Sequence, residues 1–355
     1  MAKSFFNTLL KNVPAEATVA SEGKSSAEFG KFFDTGSYTL NAAMSGSLLG
    51  GIADNKISVF AGESSTGKTY FILGILRSWM KANPTGNVVY FDTESAVTNQ
   101  MLLDHDLDLD RVAKVEPETI EQFRQSALAI LDNYAESGTK TPLIMVLDSL
   151  GNLSSIKEVQ DIRDQKDSRD MTKAQLLRGT FRVLRLRLAK LAVPMLVANH
   201  TYAVVGAYVP TKAMSGGAGL TYVSDSIAML SNSKERDAEK NVIGNVVTVT
   251  MMKSRLSREN TKVQVRIAYV GGLDRYYGLL DMAVSAGVVE EPSKGRYVFP
   301  GHKMMTAKKI AESPETYFTP DILSAIDEKY VKPSFTYGHD DVPEVDGDED
   351  EDGAE

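Results

Sequence analysis

The 355 residues include no cysteine and four histidines, and their net charge is −8. Disulfides, thiolate chemistry and cysteine-based zinc sites are excluded, and the scattered histidines offer no dedicated metal cage, so any metal is expected to arrive with a substrate. No run of about 18 or more apolar residues exists to span a bilayer, and Met1 to Asn12 lacks the basic-then-apolar order of a secretory signal. A cytoplasmic protein with one core of roughly 200–250 residues and a small appendage is expected.

The charge is uneven. Residues 340–355 hold ten acidic side chains and no Lys or Arg, which leaves the other 339 residues at +2. Such a tail reads as disordered and self-repelling, either a solubilising segment or a DNA mimic that competes for a basic groove. The near-neutral body is compatible with binding a phosphate backbone through local basic stretches.

Residues 1–30 read as an arm whose Phe5, Phe6, Leu9 and Leu10 fall at helical spacing and dock on a neighbouring copy or on the chain's own core. Apolar runs then recur at Ile57 to Ala61, Val88 to Phe91, Leu143 to Leu147, Met195 to Ala198 and Ile227 to Leu230, each bounded by turn or polar residues. Runs without alternation suit central strands covered on both faces. Between them, Tyr70 to Lys81 and Thr172 to Ala192 carry apolar stripes of helical period. The runs Val246 to Met251 and Val263 to Tyr269 suggest an antiparallel extension, and the turn-rich stretch from Glu290 followed by the amphipathic Pro320 to Tyr330 suggests a small C-terminal α/β region. The fold class is α/β, divided as arm 1–30, core 31–289, C-terminal domain 290–339 and tail 340–355.

The sharpest motif is Gly62-Glu63-Ser64-Ser65-Thr66-Gly67-Lys68-Thr69, a complete G-x-x-x-x-G-K-[ST] between a strand and a helix. In that setting backbone N–H groups and the helix N-terminus cradle phosphates, Lys68 reaches the β and γ oxygens, and the Thr69 hydroxyl ligates Mg²⁺. Asp148 ends a buried strand where a carboxylate holds the Mg²⁺ water shell. Glu94, after the strand ending at Asp92, is the candidate base for the attacking water, with Asp92 as its neighbour. His200 follows another strand, either as a structural histidine or as a sensor of the γ-phosphate. The Gly-rich Thr201 to Gly219 after it is too long and polar for core.

This order of motifs resembles RecA-type recombinases, and the stretches Asp148-Ser149-Leu150-Gly151-Asn152-Leu153 and Asn199-His200-Thr201-Tyr202 resemble the phage UvsX type, over about Phe32 to Val298. The resemblance implies a RecA-type ATPase core, ATP and Mg²⁺ as cofactors, and a filament on single-stranded DNA with ATP between protomers. It further implies pairing with double-stranded DNA, mediator and single-strand-binding partners, and a place in recombination, repair and replication, in host cytoplasm if phage-encoded. Glu94 falls at the water-activating position and His200 at the sensor position. Lys253 and Arg255 resemble the paired cations that reach the neighbour's ATP; by themselves they read as a solvated turn. Where the family has a tyrosine on adenine, this chain has Met101, so adenine preference rests on the resemblance.

Two DNA-binding loops are implied. The first, about 154–170, brings Lys157, Lys166 and Arg169, with Arg163 beside them; its many acidic residues also fit a solvated helix. The second, about 201–219, offers Tyr208 to stack or wedge, Lys212 for phosphate, and Gly216 and Gly217 as backbone donors. Arg178, Arg182, Arg185 and Arg187 read as an exposed helix face. Two other readings fit the same core: a ring helicase, or an ATP-switched DNA-binding filament module without strand exchange.

Overall fold

The computed structural model describes residues 9–11, 13, 30–166, 172–203, 212–236, 239–268 and 272–338. Strands β1 (Phe32–Phe33) and β2 (Ile52–Ala53) pair antiparallel around helix α1 (Tyr38–Ser45). The core then runs β3 (Ile57–Gly62), α2 (Lys68–Ala82), β4 (Asn87–Asp92), α3 (Asn99–Asp104), β5 (Val112–Val115), α4 (Ile120–Glu136), β6 (Leu143–Asp148), α5 (Ile156–Arg163) and α6 (Lys173–Leu191). It continues through β7 (Met195–Ala203), β8 (Lys212–Met214), α7 (Ala218–Val223), β9 (Ser226–Arg236), β10 (Val242–Ser254), β11 (Lys262–Ala268), β12 (Gly272–Leu273) and α8 (Leu279–Ser285).

The central sheet has the order β12-β11-β10-β9-β3-β7-β6-β4-β5, with β8 paired to β7. From β9 to β5 neighbours run parallel, and from β9 to β12 antiparallel, so the expected α/β class and antiparallel extension both hold. Alternation along β3 explains why both faces must be covered. Ile57, Val59 and Ala61 join one buried cluster with Phe123 of α4 and Phe181 and Leu184 of α6, while Phe60 joins the other with Phe71, Ile75 and Trp79 of α2. The apolar stripe along α2 therefore has a sheet to meet. That helix stops at Asn83, whose backbone N–H and side-chain amide both donate to the Trp79 carbonyl, and Pro84 follows.

Three strands run past the boundaries expected from the sequence. Strand β7 continues past Ala198 to Ala203 because Thr201 to Ala203 pair with β8, hydrogen bonding that apolar runs do not announce. Strands β9 and β10 likewise outlast their apolar stretches: exposed Asn232 and Lys234 still pair with Val247 and Asn245. Beyond α8, strands β13 (Glu290–Ser293), β14 (Arg296–Val298) and β15 (Met305–Thr306) form a second antiparallel sheet. Phe299, Ile310, Leu323 and Ile326 from this segment share the apolar cluster of α2. Buried Asp327 fastens it further by accepting from the Leu48 N–H and the Ser47 hydroxyl.

Candidate nucleotide site and nucleic-acid interface

In a parallel sheet, side chains at the carboxyl ends of adjacent strands converge on the crevice beyond them. Here Gly62 pairs in register with His200 and Asp92 with Asp148, so β3, β7, β6 and β4 bring their ends together. They open onto a cleft of about 1170 Å³ lined by Ser64, Ser65, Gly67, Lys68, Thr69, Glu94, Met101, Asp148 and His200, among others.

The loop from Gly62 to Thr69 needs its two glycines for different reasons. A Cβ on Gly62 would lie 2.7 Å from Thr66 Oγ1 and 2.9 Å from the Leu230 carbonyl oxygen, whereas Gly67 has open space but a φ of 82°. Glu63 is exposed, and its carbonyl accepts from the Thr66 hydroxyl at 2.9 Å. Gly67 caps α2, so Lys68 sits in the helix's first turn and its Nζ donates to the carbonyls of Gly62 (3.2 Å) and Glu63 (2.8 Å). Burial lowers the Lys68 pKa against the opposing pull of Asp148 and Glu94.

Thr69 Oγ1 donates to Asp148 Oδ2 at 2.7 Å, and the buried Tyr90 hydroxyl donates to the same oxygen at 2.7 Å. Burial pushes the Asp148 carboxyl up, with these two hydrogen bonds opposing it. A hydroxyl and a carboxylate beside a phosphate cradle are hard oxygen donors suited to Mg²⁺, a cation that keeps waters and takes phosphate oxygens as further ligands. The residues present therefore fit a nucleotide with its metal.

Glu94 Oε1 accepts from the Ser149 hydroxyl at 2.7 Å and lies 3.0 Å from His200 Nε2, while His200 Nδ1 lies 3.3 Å from Lys68 Nζ. An ammonium can only donate, so Nδ1 accepts and the proton sits on Nε2, directed at the Glu94 carboxylate. Burial raises the Glu94 pKa, but the hydrogen bonds from His200 and Ser149 and the Lys68 charge outweigh it, leaving it below the ordinary value. Thr93 clasps Ser149 from both sides: its hydroxyl donates to the Ser149 carbonyl at 2.7 Å and accepts from the Ser149 N–H at 2.9 Å. Asp92 does not join this group. Its carboxylate accepts from the N–H groups of Glu94, Ala96 and Val97 and braces the turn after β4.

From His200 the network reaches the following hairpin. The His200 carbonyl accepts from the Ser215 N–H at 2.9 Å, and the Asn199 amide donates to the Ser215 carbonyl at 2.8 Å. Met101 lines the cleft on α3, where its carbonyl meets His105 Nδ1 at 2.8 Å, and the His105 ring packs against Tyr70 with centroids 5.2 Å apart.

Lys253 and Arg255 lie elsewhere. Ser254 pairs with Ser226 and Asp225 accepts from the Ile57 N–H, which places both cations at the amino end of β3, roughly 17 Å along the strand from Gly62. Lys253 Nζ donates to the carbonyls of Thr221 (2.6 Å), Tyr222 (3.3 Å) and Ser224 (2.8 Å), the C-terminal turn of α7. Burial and the nearby Arg255 charge lower its pKa. Arg255 stands 3.7 Å from buried Asp225, which Arg185 holds at 2.9 Å.

The RecA N-terminal domain family pattern matches residues 10–274. The chain belongs to the RecA N-terminal domain family. It is 32% identical over 258 residues to the recombination and repair protein of Enterobacteria phage T4, an alignment covering 73% of this chain and 64% of the T4 protein, just under two thirds of that relative. It is 27% identical to the RecA proteins of Cereibacter sphaeroides over 259 residues and Brucella anthropi over 261, covering 72% of this chain and 71% and 68% of those relatives.

The two segments expected to contact DNA in this RecA-family chain both contain regular structure among their described residues. Half of the first is helix α5, opened by a capping box in which Ser155 and Glu158 satisfy each other's backbone N–H groups. Lys157 is exposed on that helix, Arg163 is its exposed last residue, and exposed Lys166 pairs with Asp164 at 2.8 Å. Arg169 lies outside the described residues. In the second, β7 and β8 form a hairpin, Lys212 opens β8, and Gly216 and Gly217 make the turn into α7; Tyr208 lies outside the described residues. Arg178, Arg182 and Arg187 are exposed as expected, but Arg185 is half-buried against Asp225.

Sequence reasoning passed over Tyr90 and Ser149. The signal for Tyr90 was a phenol inside a strand apolar on both faces, where a hydroxyl must find an acceptor. For Ser149 it was a hydroxyl next to the strand-end acid, one strand away from Glu94.

Proposed function

We propose that this chain is an ATP-dependent recombinase that forms a filament on single-stranded DNA and promotes homologous pairing and strand exchange. The observation that carries the reading is the unbroken hydrogen-bond path from Lys68 through His200 to Ser215. It joins the phosphate cradle to the hairpin that leads into the Gly-rich segment. In this reading the loop N–H groups and Lys68 grip the triphosphate, Lys68 exchanging the carbonyls of Gly62 and Glu63 for β and γ oxygens. Thr69 and Asp148 hold Mg²⁺, which when bound neutralises charge on the transferring phosphoryl group. Glu94, kept ionised by its neighbours, orients the attacking water and accepts its proton. His200 then exchanges Glu94 and Lys68 for the phosphate and reports its loss to β8.

Lys253 and Arg255 serve a neighbouring copy's nucleotide. From the amino end of β3 they stand too far from their own cradle, so placing copies end to end is what brings cation and phosphate together. Turnover then depends on assembly, as it does for cations supplied in trans. The exposed Lys157 and Lys166, Arg169, and the segment with Tyr208, Lys212, Gly216 and Gly217 contact DNA. Mediator and single-strand-binding proteins, a cytoplasmic location and Met101 as the surface under the base complete the reading. No helix among the described residues is long and apolar enough to cross a membrane.

The test is a D-loop assay with homologous and heterologous duplexes, with and without ATP. ATP-dependent joint molecules with the homologous duplex alone are expected. Duplex unwinding without pairing, or ATP-dependent polymers that never pair strands, would replace this reading.

A further inference from the structure

Strand β4 is covered on both faces, and Tyr90 is fully buried within it on the side of α2. A phenol there requires an acceptor, and its hydroxyl donates to Asp148 Oδ2 at 2.7 Å. The same oxygen accepts from Thr69, while no donor among the described residues meets Oδ1. The two carboxylate oxygens are therefore unequal. Oδ2 is held by two hydroxyls from different elements, one from the sheet and one from α2, which fixes the plane of the carboxylate. Thr69, having given its proton to Oδ2, keeps its lone pairs for another partner.

We infer that Tyr90 is a positioning residue for the metal half of the site: by pinning Oδ2 it presents Oδ1 and the Thr69 oxygen together to a hydrated divalent cation. This rests on the ATP and Mg²⁺ reading above. Partners that orient metal-holding carboxylates commonly govern metal affinity although they never touch the ion. Without the phenol, the Asp148 carboxylate is held on Oδ2 by Thr69 alone and can turn about its terminal torsion, which has no sharp minima of its own. Tyr90 would then act on magnesium without acting on the phosphates.

The experiment uses the full chain with Tyr90→Phe, which removes one oxygen and keeps the ring. Binding of a fluorescent ADP analogue is titrated with magnesium and repeated in EDTA, and manganese bound in the presence of ADP is counted by electron paramagnetic resonance. Expected is a rise of about tenfold in the magnesium needed for half-maximal enhancement, with less manganese bound, while affinity in EDTA stays within about twofold. In an Asp148→Asn background the same substitution should add nothing. An unchanged magnesium titration in a variant that merely melts earlier overturns the positioning role. So does a Tyr90→Phe chain that fails to fold where Asp148→Asn folds, since the phenol would then serve the core. Nucleotide binding by the unsubstituted chain that ignores magnesium would instead bring down the underlying reading, and this inference with it.

Discussion

At the carboxyl edge of the central sheet, Lys68, Thr69, Asp148, Glu94 and His200 all line one cleft, with Lys68, His200 and Glu94 bonded in one group and Thr69 and Asp148 in another. At the amino edge, Lys253, Arg255 and Arg185 gather around Asp225 and the last carbonyls of α7, and neither Lys253 nor Arg255 lines that cleft. One edge gathers the residues proposed for phosphate and metal; at the other, Lys253 is held by main-chain oxygens that a phosphate could replace, while Arg185 and Arg255 share buried Asp225. The contrast teaches that Lys253 and Arg255 cannot serve the cleft of their own chain from where they stand, so under the proposed function their phosphate belongs to a second copy.

The largest effect should come from the carboxyl edge. Under the proposed function Lys68→Ala removes the charge that meets the transferring phosphoryl group, and single-stranded-DNA-stimulated phosphate release should fall about a thousandfold or more. Wild-type turnover in a purified sample would remove the cradle assignment. The next effect belongs to the amino edge. Lys253→Ala should lower the same stimulated turnover about a hundredfold while leaving binding of a fluorescent ADP analogue to the isolated chain nearly intact. Mixing the two variants sharpens the comparison. A Lys68→Ala copy still offers Lys253, and a Lys253→Ala copy still offers an intact cradle, so some seams in a mixed filament are complete and part of the activity should return. No recovery at any ratio would place the Lys253 effect inside its own chain, through the α7 turn it caps.

The carboxyl edge was legible in the sequence because its signals are local. Eight consecutive residues define the loop motif, and Asp148 and Glu94 each follow an apolar run that suits a covered strand. What escaped was set by distant pairing. His200 was expected just beyond its strand, but β8 recruits Thr201 to Ala203 and draws β7 past the polar Asn199 and His200. The sequence put Glu94 forward as the base with Asp92 as its neighbour; the folded turn shows one that accepts three backbone N–H groups and one that faces the cleft. Helix α5 was foreseen only as an alternative, the solvated helix that its acidic residues fit, and the Ser155 and Glu158 spacing is its N-terminal signature. The amino edge was the least legible, since Lys253 gains its partners from residues 29 and 32 positions away.

The smallest effect concerns the join between Glu94 and His200, and its sign follows from which influences survive. Burial alone would raise the Glu94 pKa, and the hydrogen bonds from His200 and Ser149 with the Lys68 charge bring it below the ordinary value. A base acts only when deprotonated, so with Glu94 in the proposed role activity should be retained as pH falls until its depressed pKa is crossed. The acid limb of kcat/KM reports groups of the free enzyme. His200→Ala deletes the larger of the two hydrogen-bond contributions and leaves most of the burial, so that limb should move to higher pH, beyond any loss of maximal rate. Ser149→Ala should move it in the same direction, since the serine donates to the same oxygen. Stability should follow the same sign: a depressed carboxylate stabilises the fold above its unfolded pKa, and that contribution fades as pH falls through the folded value. A limb that stays in place when His200 is removed would mean that the base titrating in kcat/KM is not Glu94.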